Sequence, residues 1–493
     1  MKKYLIFFQT CIFICMMSFG QNVGIGTATP AEKLHVAGNI KSDTLKPAAI
    51  KLIPNAGAGK ILTSDASGNA NWQAGNSAAG GNVGFGVWGD CATNGNISEY
   101  TPVTDPSGTP GDNFGHAVAM SGDYAIIGNP GDDIGANVDQ GSASIFKFDG
   151  NGWVFMQKIS ESIGAAGDNF GGSVAISGNY AIVGAYLDNN GIIVNGGSAT
   201  IYTFNGTAWV SMQKLVDATG AAEDHFGNSV SISGNYAIVG APLDDVTSTD
   251  NGSASVYQYN GTAWVLMIKL AETLVNGSLF GCSVSVSGNR FAIGAAMNGD
   301  VISEQWGTVT IYQFSGSWVH MGLLYQTFSH RQNGDLFGNS VSISGNYLMV
   351  GTPRDYLPPS TYSGSASIYQ YNGTSWELRH IFFDATGEGD DQFGTAVSIS
   401  DKYAIVGTNN DKVDGMTAKG SANIYMRLGS GWQKLQFIKD PAGDQYNYFG
   451  GAVAIDGTTQ RFMIGAIGFG NLATPGGATQ IPAIGKVVFG KVN

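Results

Sequence analysis

A Phe-Gly pair recurs seven times at a near-constant spacing after residue 110 of this 493-residue chain, and this spacing constrains the fold more than any other feature. The phenylalanines are Phe114, Phe170, Phe226, Phe280, Phe337, Phe393 and Phe449. Successive pairs are 56, 56, 54, 57, 56 and 56 residues apart. A near-constant period of this kind is typical of a chain built from copies of one supersecondary unit. We therefore expect seven structurally equivalent repeats.

The third copy, which runs from Asp224 to Leu270, predicts four short antiparallel strands. Its polar and apolar residues alternate with the period of two that is typical of strands. Gly234-Asn235 and Asn260-Gly261 are two-residue sequences that favour tight hairpins. The strands are expected at Ser229–Ser233, Tyr236–Gly240, Ser253–Tyr259 and Trp264–Leu270. Four strands joined by tight, long and tight connections form a β-propeller blade, whose faces must be covered by neighbouring copies.

A glycine closes the second strand of every copy, and in the third copy Ala241-Pro242 follows it. These glycines are Gly128, Gly184, Gly240, Gly294, Gly351, Gly407 and Gly465. Together with the Phe-Gly pairs they resemble the FG-GAP repeat of integrin alpha-subunit heads and related bacterial surface proteins. The resemblance covers residues 112 to 493. It implies an all-β fold, namely a seven-bladed β-propeller of four-stranded antiparallel blades.

The calcium loops of integrin-like repeats have no counterpart in this sequence. In that family the connection between the first two strands carries a run of Asp and Asn residues that binds calcium. Here the connection is only two residues long, as in Gly122-Asp123 or Gly234-Asn235. Because Ca²⁺ takes six to eight oxygen ligands, such a turn cannot hold it. We expect no cofactor and no specific metal site.

The chain is predicted to contain three parts. Residues 1–20 have two lysines, an apolar run and small residues, which is typical of a cleaved signal peptide and predicts export. Residues 21–80 resemble segments at the start of bacterial surface and fibre proteins, which often form trimers, and a flexible spacer is the alternative. Residues 81–493 should form the propeller. No segment is long and apolar enough to predict a membrane span.

The seventh repeat ends without a fourth strand, and we expect the start of the propeller to supply it. Residues 96–103 stand where every other repeat has its fourth strand. They are predicted to pair with residues 486–492 and to close the ring, because closure removes exposed strand edges. Cys91 and Cys282 should lie across this ring, too far apart for a disulfide, and are expected to remain free thiols.

Charge and motif content exclude several function classes. The net charge is −13, so nucleic acid is not an expected partner. The sequence contains no Gly-x-Ser-x-Gly, His-Glu-x-x-His or Cys-x-x-Cys motif. His116 and His225 each occur in a single repeat and are interpreted as tolerated substitutions. No catalytic residue is therefore expected.

The acidic residues concentrate in the connections that should emerge on one face of the propeller. Twelve lie between second and third strands and 15 between fourth and first strands, hence 27 of the 37 in the chain, with few Lys or Arg beside them. The candidate binding residues are Asp132, Asp188, Asp224, Asp244, Asp245, Asp355, Asp391 and Asp411. Five of these lie four residues after the glycine that closes the second strand and form a partial ring. These ring aspartates are Asp132, Asp188, Asp244, Asp355 and Asp411. An Asp in such a place can also simply accept backbone N–H bonds of a turn.

These observations predict a secreted or cell-surface, non-enzymatic scaffold for binding and adhesion. Its acidic face should engage a protein or a glycan, attract cationic partners and hold divalent ions only weakly. In integrin-like heads the corresponding face binds ligand, so the resemblance points the same way. Two alternatives remain: a polysaccharide lyase or hydrolase on a propeller scaffold, and a structural fibre component, in which residues 21–80 would form a homotrimer.

Overall fold

The computed structural model describes residues 23–25, 34–36, 60–64, 70–74 and 98–492. The last range has gaps at 273–275, 300–305, 327–331, 357–361, 385–386, 430, 441–442, 444, 473–478 and 483–484. The chain divides into two compact units, Met1–Val87 and Trp88–Asn493. The predicted signal peptide and Cys91 lie outside the described residues. Within the described part of the chain, no helix is both long and apolar enough to cross a bilayer.

The first unit contains two strand pairs. Val23–Ile25 and Leu34–Val36 are parallel, whereas Lys60–Ser64 and Ala70–Ala74 form an antiparallel hairpin.

The second unit is a ring of seven four-stranded antiparallel blades, which confirms the predicted propeller. Blade 1 consists of Val118–Ser121, Tyr124–Asn129, Ser142–Phe148 and Trp153–Ile159. Blade 2 consists of Ser173–Ser177, Tyr180–Ala185, Ser198–Phe204 and Trp209–Leu215. Blade 3 consists of Ser229–Ser233, Tyr236–Ala241, Ser253–Tyr259 and Trp264–Leu270. Blades 4 and 5 consist of Phe280–Ser287, Arg290–Ala295, Thr308–Phe314 and Trp318–Leu324, and of Ser340–Ser344, Tyr347–Thr352, Ser365–Tyr371 and Trp376–Phe383.

Blade 6 follows the same order along the chain, whereas blade 7 takes its fourth strand from the start of the propeller. Blade 6 consists of Phe393–Ile399, Tyr403–Thr408, Ser421–Leu428 and Gly431–Lys439. Blade 7 consists of Ala452–Asp456, Arg461–Ala466, Lys486–Lys491 and, as its fourth strand, Ser98–Val103. A short hairpin, Phe469–Leu472 with Thr479–Pro482, lies in the connection between its second and third strands. The sequence pattern did not predict this extra hairpin.

The ring closes through the segment that the sequence analysis assigned to this role. Ser98–Val103 pairs antiparallel with Lys486–Lys491, so that Val103 lies opposite Val487. A parallel bridge joins Phe114 to Gly485, and equivalent bridges join other neighbouring blades, such as that between Gly197 and Phe226. The closing strand therefore makes the junction of blades 7 and 1 equivalent to the other junctions, and the prediction is confirmed.

The hydrophobic core lies between blades rather than within them. Seven buried clusters each combine side chains from two adjacent blades. Between blades 2 and 3, for example, Ile201 packs with Phe226, Val239 and Trp264. Burying apolar surface contributes about 25 cal/mol per Å². A blade therefore gains most of its stability from its two neighbours, as expected for a repeat fold.

The Phe-Gly pair recurs because both residues meet a strict steric demand at these junctions. All seven phenylalanines are at most 1% exposed. The following glycine has a positive φ, which is 94° at Gly227. A Cβ atom at Gly227 would lie 2.1 Å from the backbone oxygen of Ser198. Only glycine satisfies both the close approach and the left-handed backbone.

The tryptophan that follows the second hairpin packs between blades. Trp209 and Trp264 are each 2% exposed, and Trp209 meets Tyr124 of the preceding blade edge to face at 5.6 Å. Gln157 of blade 1 fixes Trp209 further: its Nε2 donates to the Trp209 oxygen at 2.9 Å and its Oε1 accepts from the Trp209 N–H at 2.8 Å. Such rings are not available for stacking on a ligand.

Candidate functional site on the loop face

The antiparallel order of each blade gives the propeller two chemically different sides. Hairpins join strands one and two, and strands three and four, on what we call the hairpin face. The connections between strands two and three, and from strand four to the next blade, emerge on the opposite side, which we call the loop face. All eight candidate binding residues lie in connections of the loop face.

A lysine bridges two buried carboxylates at the loop face of blade 3. Lys269 Nζ lies 2.5 Å from Asp244 Oδ2 and 2.7 Å from Asp217 Oδ2. The Ser253 hydroxyl also donates to Asp244 Oδ2 at 2.5 Å. Asp217 comes from the connection that enters the blade, Asp244 from the connection after its second strand, and Lys269 from its fourth strand. We call this arrangement a lysine bridge.

The lysine bridge is repeated in the two preceding blades. Blade 1 joins Lys158 to Asp105 and Asp132 at 2.7 and 2.6 Å, and blade 2 joins Lys214 to Glu161 and Asp188 at 2.7 and 2.5 Å. In all three, burial acts to lower the pKa of the lysine, but its hydrogen bonds and the carboxylate charges outweigh burial and raise that pKa. The lysines therefore stay charged.

These pairs correct the expectation that the acidic residues have few cations beside them. Asp132, Asp188 and Asp244 are only 5–6% exposed. A buried carboxylate is costly unless a counter-charge and hydrogen bonds stabilise it, so these charges stay internal and hold adjoining connections together. Asp132 and Asp244 each accept a serine hydroxyl and pair with a lysine, whereas Asp188 pairs with Lys214. Their partners are therefore side chains rather than the N–H groups of a turn.

Asp224 and Asp391 belong to a second recurring position, two residues before a Phe-Gly pair. Asp224 Oδ2 accepts the N–H of Ala221, and Asp391 Oδ2 accepts the N–H of Glu388, each at 2.5 Å. Both side chains are at most 3% exposed. These two residues therefore accept the N–H of a turn, a role that the sequence had suggested only for the five aspartates of the partial ring. Equivalent bonds are made by Asp112, Asp168 and Asp335.

Burial raises the pKa of these turn carboxyls toward neutrality. The pKa of Asp224 rises to about 6, and those of Asp335 and Asp391 rise to about 7. In each case burial is the main cause, and the charge of the neighbouring ring residue, such as Asp411 beside Asp391, adds to it. The negative charge of the loop face at neutral pH is therefore smaller than its carboxyl count implies.

The partial ring continues in blades 5 and 6 without a lysine in the bridging position. Asp355 is 2% exposed, and Asp411 accepts the Ser421 hydroxyl at 2.6 Å. Strand register places Ile381 and Phe437 where blade 3 has Lys269. Burial also raises the pKa of Asp411.

Of the eight candidate residues, only Asp245 has an exposed side chain. Its Oδ1 accepts the N–H of Asp250 at 2.7 Å, and this bond holds the connection of blade 3 in shape. Other exposed acids on the loop face are Asp133, Asp139, Glu223, Glu388, Asp390 and Asp414. Asp133 and Asp245 both follow a ring Asp directly in sequence, a signal that could have separated them from their buried neighbours.

Replacing Asp391 by Asn should stabilise the protein more at pH 8 than at pH 5. The pKa of Asp391 is about 7 in the folded state, whereas the ordinary aspartate value of 3.8 applies to the unfolded chain. The folded protein therefore binds the extra proton, and its stability falls as pH rises through this interval, by about 2 kcal/mol between pH 5 and pH 8. Asn keeps the acceptor for the Glu388 N–H without a charge. Urea unfolding at both pH values measures the difference.

Asp149→Asn is the matched control for this measurement. Backbone hydrogen bonds from Asn151 and Gly152 lower the pKa of Asp149. Because Asp149 is therefore ionised at both pH values, its contribution to the free energy of unfolding is the same at pH 5 and pH 8. The substitution should therefore have the same effect on the unfolding free energy at both pH values. An equal effect of Asp391→Asn at the two pH values would contradict the raised pKa.

Two titratable side chains line the centre of the propeller. His116 and Cys282 occupy equivalent positions after a Phe-Gly pair and line a central cavity of about 240 Å³. Burial lowers the pKa of His116 and raises that of the free Cys282 thiol to about 11, so both are neutral at pH 7. Among the described residues, no group of three or more His, Cys, Asp or Glu side chains is placed to hold a metal ion.

Comparison with known protein families matches the FG-GAP repeat at residues 98–146, 153–204, 209–257, 329–369 and 376–425. The first three segments each begin at the fourth strand of one blade and end in the third strand of the next. The match that starts at residue 98 therefore begins at the closing strand, just as the next two matches begin at a fourth strand. A search of curated proteins finds no match. The repeats and the seven blades together identify the chain as an FG-GAP repeat β-propeller protein.

Proposed function

We propose that this protein is a secreted or surface-displayed, non-enzymatic scaffold that binds a protein or glycan partner through its loop face. Residues 1–20 would direct export, and residues 21–80 would tether or trimerise the propeller. The observation that carries the proposal is that the loop-face acids fall into a buried and an exposed group. Buried carboxylates hold the connections in place, and exposed acids such as Asp245 and Glu388 stand above them.

The hairpin face carries cations as well as acids, which supports this assignment. Several of its cations lie over aromatic rings, as Arg290 does over Tyr371 at 4.7 Å and Arg427 over Tyr347 at 5.0 Å. Arg461 lies 3.6 Å from the ring of Phe148 and 2.8 Å from Asp123. These cations offset the acids of the hairpin face, so we expect a cationic partner to be attracted more strongly to the loop face.

Neutralising the exposed acids of the loop face should weaken binding of a cationic probe. The variant carries Asp133→Asn, Asp245→Asn, Glu388→Gln and Asp390→Asn, and the probe is a fluorescent peptide of ten lysines. We expect about fivefold weaker binding at ~50 mM salt, because attraction between exposed charges is strong only when screening is low. The difference should shrink at ~300 mM salt. Fluorescence anisotropy measures both.

A variant of equal charge on the hairpin face is the control. It carries Asp123→Asn, Asp149→Asn, Glu377→Gln and Asp401→Asn, and it should bind the peptide like the unaltered protein. If both variants lose affinity equally, net charge rather than the loop face governs binding, and the proposal fails.

A further inference from the structure

An open groove of about 730 Å³ lies between blades 1 and 2, at the outer edge of the loop face. One wall is the end of the fourth strand of blade 1 with the connection that follows it, up to Ile163. The other wall is formed by Trp209, Ser211 and Lys214 of blade 2. Asp188 to Gly191, in the connection of blade 2, complete the rim. The volume lies within the ~300–1,000 Å³ range of small-molecule sites.

The groove is open because two side chains on its walls are small. Ser160 and Ser211 line it, whereas the equivalent positions at the junction of blades 2 and 3 hold Val216 and Leu266. At the junction of blades 4 and 5 these positions hold Tyr325 and Leu378. The corresponding large side chains would occupy the space that the two serines leave.

The walls of the groove are held rigidly. Gln157 joins the two blades through its paired hydrogen bonds with Trp209. On the floor, Lys214 bridges Glu161 and Asp188, and the Thr200 hydroxyl donates to Glu161 Oε1 at 2.5 Å. A ligand therefore meets a preformed surface and loses little free energy to ordering it.

The lining chemistry selects the ligand class. Its charged groups are two lysines and two carboxylates, so the groove has no net charge to attract an ionic ligand. Hydroxyl and amide side chains supply both donors and acceptors, among them Ser160, Ser211 and Asn189. The Asn189 amide is oriented because its Oδ1 accepts the Asn195 N–H at 2.9 Å. Such a lining suits a neutral ligand rich in hydroxyl groups.

One exposed apolar side chain at the mouth of the groove adds a surface for the apolar face of a sugar. Ile163 lines the groove and is 93% exposed, so it can cover the C–H face of a sugar ring. The floor is ion-paired and lacks the desolvated apolar pocket in which a protein partner would anchor a large side chain. From these observations we propose that the groove between blades 1 and 2 binds a short neutral oligosaccharide. This site does not depend on the acidic loop face being a binding surface.

The test uses the full chain and isothermal titration calorimetry with four probes. Maltotetraose, cellotetraose and tetra-N-acetylchitotetraose are neutral, and trigalacturonate is an acidic counterpart. At least one neutral probe should bind, with an affinity that is the same at ~50 and ~300 mM salt because no net charge is involved. If none of the neutral probes binds, or if only trigalacturonate binds, the proposal is overturned.

Ser211→Leu fills the groove and should weaken binding of that oligosaccharide at least tenfold. Ser160→Val gives a second test at a surface position, where it reproduces the residue of the next junction. Leu266→Ser, the reverse change at the junction of blades 2 and 3, is the control and should leave affinity within about twofold. Undiminished binding by both filled variants would overturn the proposal. Lysine-peptide binding should be unaffected by Ser211→Leu, which separates this site from the loop-face acids.

Discussion

Removing residues 1–103 should abolish cooperative unfolding of the propeller, whereas removing residues 1–95 should leave it intact. The longer truncation deletes Ser98–Val103, the fourth strand of blade 7, and exposes the edge of Lys486–Lys491. Val103 also packs against the cluster that joins blades 7 and 1. In a ring whose cores all lie between blades, an incomplete blade weakens both of its junctions. The loss should amount to several kcal/mol, comparable with the whole stability of a typical domain.

Thermal unfolding followed by circular dichroism distinguishes the two truncations, and sedimentation reports association through the exposed edge. The shorter truncation is the matched control, because it removes the whole N-terminal unit and spares the strand. Equal midpoints and equal cooperativity in the two proteins would show that the strand is dispensable and that closure does not stabilise the ring.

Local chemistry made the blade strands predictable. In the third repeat, Ser229–Ser233, Ser253–Tyr259 and Trp264–Leu270 have the predicted bounds, and the second strand extends one residue further to Ala241. The Gly-Asn and Asn-Gly turns fix strand ends within a few residues, and the alternating pattern fixes which side is buried. These signals are contained within each repeat and are repeated along the chain.

Features that depend on contacts between distant residues were not predictable in this way. The third and fourth strands of blade 3 shift register between Val256 and Tyr257, and the same irregularity recurs in blades 1 to 6. A bulge depends on how the outer strand fits its partner, which an alternating pattern does not show. The extra hairpin at Phe469–Leu472 likewise has no counterpart in the described parts of the equivalent connections in the other blades.

The burial of the loop-face acids was likewise not predicted from local sequence. These acids were located correctly, but their exposure was not, because the lysines that compensate Asp132, Asp188 and Asp244 come from a later strand. Lys158, Lys214 and Lys269 each stand five residues after the tryptophan that begins the fourth strand. This position could have signalled the bridges, since it coincides with the ring Asp in blades 1 to 3. Only the structure shows that the three residues meet.

Asp244 and Asp245 offer the most informative pair of substitutions. The two residues are adjacent, and changing either to Asn removes one negative charge. Asp244 is buried and paired with Lys269, whereas Asp245 is exposed. Asp244→Asn should lower the free energy of unfolding by about 2–3 kcal/mol, because Lys269 then lacks one of the two carboxylates that compensate its partly buried charge. Asp245→Asn should change stability by less than about 0.5 kcal/mol.

Binding of the ten-lysine peptide should show the reverse order. Asp245→Asn should weaken binding about twofold at ~50 mM salt, since an exposed charge acts on a partner across little intervening protein. Asp244→Asn should leave binding nearly unchanged in the fraction of protein that is folded, because its charge is already compensated by Lys269.

Parallel measurement of unfolding free energy and lysine-peptide affinity in these two variants tests the central claim that buried loop-face acids stabilise the ring and exposed ones bind. The account predicts that Asp244→Asn lowers stability and spares affinity, whereas Asp245→Asn spares stability and lowers affinity. The contradicting result is that Asp244→Asn weakens peptide binding at least as much as Asp245→Asn and leaves stability unchanged, which would make the buried ring itself the binding surface.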